Sequence, residues 1–396
     1  MTDILRATLE APSAARPAGR SRAFARLADV PVAAWRDLFQ RAIEPNAFYH
    51  PAWARAATQH AREAGGARAL LAWDPEDRTR LIGLLPVVPA WRALRLPLPF
   101  LVAWQPYTRL TTPLIDRKRA DAAAAGLLDA AIAVGARAIL HVDHSSQGAA
   151  ARALRSALDA RGLEPRVLRE RERARLDATQ DAETLLHEAL GAKKAKELRR
   201  QRHRLEDDGA VTFDVARAPA DVAAALNRFL ALEASGWKGL RGTAMAADGG
   251  DVAFLRDATA ALAAENLCEV IALRVAERPV AAGIVLYHGS RAYFFKIAYD
   301  EALAKTSPGV QLTLDLTRRL CADRAILDAD STANAYHPMI DKIWRARLPV
   351  ATSLIPLHRG DRLVDAIQFL VEARERVRRD LRRFYHSLLE LRERQP

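Results

Sequence analysis

Residues 268–300 read CEVIALRVAERPVAAGIVLYHGSRAYFFKIAYD, three runs rich in β-branched and aromatic residues broken only by an ER-Pro and an HGS segment. Breaks that short leave room for tight turns and little else, so the runs lie side by side as an antiparallel meander. A sheet this apolar must be covered by helices, and the flanking chain supplies them. Amphipathic runs occupy 221–237 and 251–266 before it, and KTSPGVQLTLDLTRRL (305–320) follows it. In that last stretch Ser307 suits a helix cap, Pro308 the first turn, and Gly309 leaves new backbone N–H groups uncovered. Uncovered N–H groups at a helix start are the raw material of an anion site.

The first half of the chain repeats this order. A strand at 21–29, helices at 30–42 and near 50–65, apolar runs at 67–73 and 80–88, a helix at 117–135, a strand at 136–143, a helix at 147–160 and a strand near 163–170 follow one another. The second half runs strand (211–217), two helices, the meander, the Ser-Pro-Gly helix, strand (325–330) and helix (336–345). The period is about 160 residues. The fold class expected is α/β with mixed sheets: a loose tail over 1–20, one domain over 21–178, a second over 179–360, each with its own sheet, and an amphipathic helix over 361–396.

Sixty Lys and Arg against 48 Asp and Glu give a net charge of +12, which asks for an anionic partner: a phosphorylated cofactor, a nucleic acid or a membrane surface. Part of the excess is Arg scattered among Ala. The seam 188–209 concentrates it, with Lys193, Lys194, Lys196, Arg199 and Arg200 reading either as a solvated helix face or as a rim for an anionic ligand. In 361–394 an apolar stripe faces nine Arg mixed with seven acids, a pattern that suits docking or helix pairing better than a membrane surface. Two cysteines are too few for a disulfide framework and fit a reducing compartment. The first twenty residues hold no apolar core of signal-peptide length. The apolar stretch 81–104 is interrupted by Arg92, Arg95 and four prolines, so it is not a spanning helix. A cytoplasmic protein is expected.

No GxGxxG follows a strand, no GxxxxGK[ST] occurs, and there is no GxSxG elbow. Asp328, Asp330, His337 and Asp341 follow one strand but read as a hydrogen-bonded loop, and no metal is expected. His141, Asp143, His144 and Ser145 read as a polar strand end rather than a triad.

Taken together, RAYFFKIAYDEALAKTSPGVQLTLDLTRRL with the AILDAD that follows (325–330) resembles the tandem GNAT-like acyltransferases, a group that includes CelD-like proteins and is related to Fem-type aminoacyl ligases. ALEASGWKGLRGTAM (231–245) and KKAKELRRQRHRLEDDG (193–209) are similar to that family's helix-loop and basic-helix segments, and EPNAFYHPAW (44–53) to a first-half counterpart. The resemblance covers roughly 20–360. It implies that the strand before the long helix splays from its neighbour, and that the acyl-pantetheine arm of acetyl-CoA or another acyl-CoA enters the V. Backbone N–H groups of Ser307, Gly309 and Val310, with the charge of Lys305, would hold the pyrophosphate. Tyr299 and Asp300 would lie beside the acyl group. Asp330 or His337 would take the proton from an amine acceptor, and Tyr299 would protonate the leaving thiolate. Trp237 and Lys238, between Gly236 and Gly239, read as a mobile lid over the substrate or as a core anchor. Lys193 and Arg199 would guide an anionic substrate. SPGV carries a single Gly where the family's loop carries more, which leaves acyl-CoA and aminoacyl-tRNA both open as donors. The acceptor would be a small molecule or a cell-envelope precursor, with tRNA and peripheral membrane contact as further partners and no stable DNA binding. A non-catalytic module for an anionic partner is the rival reading.

Overall fold

A computed structural model describes residues 23–61, 66–104, 107–108 and 110–393. The tail expected over 1–20 lies outside the described residues. The first half contributes β1 (Phe24–Arg26), α1 (Val32–Gln40), α2 (Pro51–His60), β2 (Arg68–Trp73), β3 (Leu81–Pro89), β4 (Phe100–Ala103), β5 (Leu114–Ile115), α3 (Ala120–Ala133), β6 (Ala138–Ser145), α4 (Ala149–Asp159) and β7 (Arg166–Asp177). The second contributes α5 (Ala182–Glu206), β8 (Val211–Ala216), α6 (Pro219–Ser235), α7 (Gly249–Ala264), β9 (Cys268–Val275), β10 (Arg278–His288), β11 (Arg291–Tyr299), α8 (Pro308–Ala322), β12 (Asp328–Asp330) and β13 (Ala346–Pro356). A long α9 (Arg362–Glu393) follows.

The meander forms as its sequence dictates. β9 and β10 pair antiparallel, as do β10 and β11, the second pair through a two-residue turn in which Gly289 takes a φ of +56°. The repeat is real at the level of strand pairing. β1-β2-β3-β4 are antiparallel neighbours and β4 then pairs parallel with β6; β8-β9-β10-β11 are antiparallel neighbours and β11 then pairs parallel with β12.

The two halves do not keep separate sheets. One sheet runs β1-β2-β3-β4-β6-β13-β7-β12-β11-β10-β9-β8, with β5 beside β3. The joint is an exchange: β13, from the end of the second half, pairs with β6, while β7, from the end of the first, pairs with β12, and the two exchanged strands pair antiparallel with each other. Sequence patterning misses β13 altogether. ARLPVATSLIP alternates weakly and carries two prolines, and the helix expected at 336–345 is only a turn at Ile340–Ile343.

The halves also share a core on one face of the sheet. Trp53 of α2 meets Phe254 of α7 and Phe295 of β11, each at 4.9 Å between ring centroids, and Phe39 stacks on His288 at 3.6 Å. All of these are buried. α9 packs Val364, Ile367 and Val371 into a smaller cluster with Phe100, Leu140 and Leu354. Among the described residues no helix is long and apolar enough to cross a membrane.

The cleft of the first half is filled by its own chain. β4 and β6 pair from Phe100 and Ala138 as far as Val102 and Leu140. Beyond that, Thr111 N–H donates to the Asp143 carbonyl (3.2 Å), His141 Nε2 donates to the Thr111 carbonyl (3.0 Å), and Ser145 N–H donates to Thr112 Oγ1 (3.2 Å). His141 and His144 stack there at 4.0 Å, and burial pushes both imidazoles down, His144 to about 4. The neighbour of His144 Nε2 is Ser353 Oγ, and Asp143 pairs with Arg171 (2.8 Å) and Arg169 (3.3 Å), so these groups form a polar strand end and no triad.

Candidate active site

In the second half the equivalent cleft is open. β11 and β12 stay in register from Arg291 and Asp328 to Tyr293 and Asp330, then part. Thr332, at a φ of +51°, crosses the gap and donates from Oγ1 to the Phe294 carbonyl (2.7 Å). Beyond it opens a cavity of about 270 Å³ between Phe294–Ile297 on one side and Ser331–Asn334, His337 and Ile340 on the other. Lys238 and, from the first half, Tyr107 complete the wall.

The charges in this wall are arranged around one buried carboxylate. Glu233, near the end of α6, accepts from Lys238 Nζ and from Met245 N–H, both at 2.9 Å, and Lys296 Nζ lies 3.8 Å away. Two ammonium groups therefore share one carboxylate. Burial holds Lys296 below the ordinary lysine value against the pull of Glu233, and the charge of Lys238 adds to the lowering. His337 accepts weakly at Nδ1 from Met339 N–H (3.3 Å) and Ile340 N–H (3.4 Å), which places its ring proton on Nε2. Burial lowers its pKa against the pull of Asp341, which favours the neutral ring. In that tautomer His337 is a hydrogen-bond donor rather than the base expected from sequence.

Two of the expected carboxylates are committed elsewhere. Asp330 is fully buried at the apex of the V, ion-paired with Arg173 of β7 (itself fully buried), and it accepts from Thr332 N–H at 2.8 Å. It holds the strand end and has no route to a substrate amine. Asp300 caps the helical turn Glu301–Thr306 by accepting from Ala302 N–H (2.9 Å), and its other oxygen pairs with Arg278. Tyr299 lies at the far end of β11, outside the cavity wall, with its ring against Gly309: a Cβ added there would meet Tyr299 Cδ1 at 3.1 Å.

The start of α8 differs from the expected row of bare N–H groups. Ser307 sits in the left-handed region (φ +53°) and its hydroxyl makes no capping bond. Its own N–H donates to the Ala304 carbonyl (3.0 Å), and Val310 N–H donates back to the Ser307 carbonyl (3.0 Å). Pro308 has no N–H, so of the three groups expected to hold a pyrophosphate only that of Gly309 is without a backbone acceptor among the described residues. Lys305 is exposed one turn before it.

The Trp237–Leu240 turn is shaped by close approach. A Cβ on Gly239 would lie 1.7 Å from the Ala234 carbonyl oxygen, and Trp237 N–H donates to Glu301 Oε1 at 2.8 Å. Trp237 is 45% exposed under Arg241, which excludes the core-anchor reading, while Lys238 turns inward and reaches the Ile297 carbonyl (3.3 Å). Lys193 and Arg199 are exposed on α5 and do not line the cavity. α5 is fixed to α8 by Gln311 Nε2 donating to the Leu198 carbonyl (2.8 Å) and by Arg202 with Asp315 (2.7 Å). Asp328 pairs with Arg291 and Arg175, so the carboxylates around β12 are held by arginines.

Sequence reasoning missed Glu233, Lys296, Tyr107 and Arg173. Lys296 carried a usable signal, a lone lysine inside the aromatic run YFFKIAY. Glu233 sits among apolar helix residues with nothing to mark its burial, and Tyr107 reaches the cavity only through the folding of the two halves together.

Residues 192–337 match the family model described as an acetyltransferase (GNAT) domain. No curated protein matches the sequence. Among solved structures the chain is similar to FemX, with a TM-score of 0.57 at 12% identity over 86% of this chain and 98% of that one. It is also similar to the C-terminal domain of a putative lysylphosphatidylglycerol synthetase from Agrobacterium fabrum (TM-score 0.53, 14% identity, 86% of this chain and 96% of that one). A protein of unknown function from Bacteroides thetaiotaomicron aligns at a TM-score of 0.51 with 11% identity, over 83% of this chain and 98% of that one. At these identities the likeness is one of fold. The chain carries a GNAT acetyltransferase-type domain over residues 192–337, and its fold is similar to that of FemX.

Proposed function

We propose that this protein transfers an acyl group from acyl-CoA, acetyl-CoA first, to an amine in the cavity where β11 and β12 part. The observation that carries the reading is that parting: a parallel pair that ends at Tyr293 and Asp330 and opens onto a cavity walled by Lys238, Lys296 and His337. The amine, protonated near pH 7, must give up a proton before its nitrogen attacks the thioester carbon. Lys296 lines the cavity, and burial lowers its pKa from the ordinary lysine value, which favours it as the acceptor of that proton. The carbonyl oxygen gathers negative charge as the C–N bond forms, and the Nε2–H of His337 and the ammonium of Lys238 are donors that can meet it. When the C–S bond breaks, the electron pair leaves with sulfur as a thiolate.

A second reading, aminoacyl transfer from charged tRNA, is favoured by one observation. The α8 start offers a pyrophosphate only the Gly309 N–H, under the Tyr299 ring, whereas exposed basic side chains on α5 suit a polyanion. The test gives the protein acetyl-CoA or aminoacyl-tRNA with a panel of primary amines and measures thiol or tRNA release with product mass. His337→Ala is expected to lower kcat by on the order of 10²-fold without loss of fold. Turnover with charged tRNA alone selects the second reading, and turnover with neither donor ends both.

A further inference from the structure

Tyr107 is the first half's contribution to the open cleft. It follows β4, just ahead of the Thr111 and Thr112 that fill the first half's own cleft, yet it lines the cavity of the second half. Its backbone is left-handed (φ +58°), an uncommon conformation for a large side chain and one that persists only where the surroundings over-determine it. Two contacts with α7 do so here. The ring lies nearly parallel to that of Phe254, with 5.3 Å between centroids and 15° between planes. Its hydroxyl donates to Oδ1 of Asp251, a buried carboxylate in the first turn of the helix.

We propose that Tyr107, backed by Asp251, binds the amine of the acceptor in its ammonium form before transfer, a role that rests on the acyl-transfer reading. The chemistry of the wall favours this. A protonated amine has only hydrogens to offer, and so have the ammonium of Lys238 and the Nε2–H of His337. Glu233 is buried and already accepts from Lys238 Nζ and Met245 N–H. Tyr107 differs because its own hydrogen goes to Asp251, which makes the phenol oxygen an acceptor towards anything else. Donation to a carboxylate also polarises the phenol and strengthens that oxygen as an acceptor. Asp251 thus supplies the counter-charge for an ammonium without lining the cavity itself. Lys296 lies in the same wall, where it can take the proton of the held ammonium and become an ammonium in turn, leaving the amine its lone pair.

The test reads binding before turnover. n-Butylammonium and 1-butanol, which share a chain and differ in the head group, are titrated into the full-length chain and followed by saturation-transfer NMR. The wild type is expected to prefer the ammonium. Tyr107→Phe, which keeps the stack on Phe254, is expected to reduce that preference by about tenfold or more, the worth of one hydrogen bond to a charged group. Asp251→Asn keeps an acceptor for the tyrosine but not the charge, and is expected to reduce it as well. With a working acyl donor, the KM for the amine should rise in both variants while the KM for the donor stays in place, a split that a merely structural role does not produce. A wild type with no preference for the ammonium overturns the inference, as does either folded variant that retains the preference. A preference lost in the variants of a protein that turns over neither donor upholds the ammonium site and ends only the acyl-transfer reading.

Discussion

Replacing Asp330 by Asn separates a structural carboxylate from a catalytic one. Asp330 and Arg173 form an ion pair in which neither side chain has any solvent exposure. The amide keeps an oxygen for Thr332 N–H and keeps the volume, so the change removes little beyond the charge. The buried guanidinium then loses the charge of Asp330, and breaking a buried pair in this way costs about 3–5 kcal/mol. Arg173→Met is expected to cost a similar amount by stranding the carboxylate. Replacing both, as Arg173→Met with Asp330→Leu, removes the desolvation burden together with the attraction and should return to within about 2 kcal/mol of the wild type. The coupling energy of the cycle would then be roughly 3 kcal/mol or more, well above the few tenths found for independent sites. Urea unfolding followed by tryptophan fluorescence reads all four proteins. If Asp330 were an accessible base, Asp330→Asn would leave the unfolding midpoint in place and remove only turnover. Single variants within about 1 kcal/mol of the wild type, or a double variant that is simply additive, would refute the assignment.

Acid should loosen this protein through its buried histidines. Burial depresses His50 and His288, like His144, to about 4, so below pH 6.5 the unfolded chain binds protons that the native state does not. Unfolding free energy should therefore fall as pH drops from about 6.5 towards 4, and a flat urea midpoint across that window would contradict the burial. Gly239→Ala should lower thermal stability and unseat the Trp237–Leu240 turn, since the added methyl meets the Ala234 carbonyl oxygen; an unchanged melting temperature would mean the turn shifts freely. Ser307→Ala should be nearly silent in denaturation because no cap bond is lost, whereas Ser307→Gly should stabilise by about 1 kcal/mol by relieving the left-handed backbone.

The meander, the helices flanking it and the repeat were legible because each rests on local periodicity and turn chemistry. His337 and Lys238 were legible as residues of the site, but not in their roles. The tautomer of His337 depends on two backbone N–H groups downstream, and the work of Lys238 depends on a carboxylate at Glu233 that α6 happens to bury. Asp330 and Asp300 misled for one reason: a carboxylate at a strand end looks the same in sequence whether it faces substrate or an arginine from a distant strand. The start of α8 misled because Ser-Pro-Gly suggests a capped helix with bare N–H groups, while the observed backbone folds Ser307 under and closes two of them.

The strand RVLRERERARLD explains why the halves could not be read as separate units. Its alternating charges suggest a solvated edge, yet β7 lies near the middle of the sheet, between β13 and β12. The arginines on one of its faces each meet a carboxylate: Arg169 and Arg171 reach Asp143 at the end of β6, Arg173 reaches Asp330, and Arg175 reaches Asp328. One strand of the first half thus neutralises the strand end beside the filled cleft and the strand end at the apex of the open one. A buried arginine is tolerable only with its carboxylate in place, so the place of β7 in the sheet is tied to both β6 and β12. The geometry of the open cleft therefore depends on the first half even though that half's own cleft is filled. The exchange of β7 and β13 makes the dependence mutual, because β6 in turn is covered by a strand from the far end of the second half.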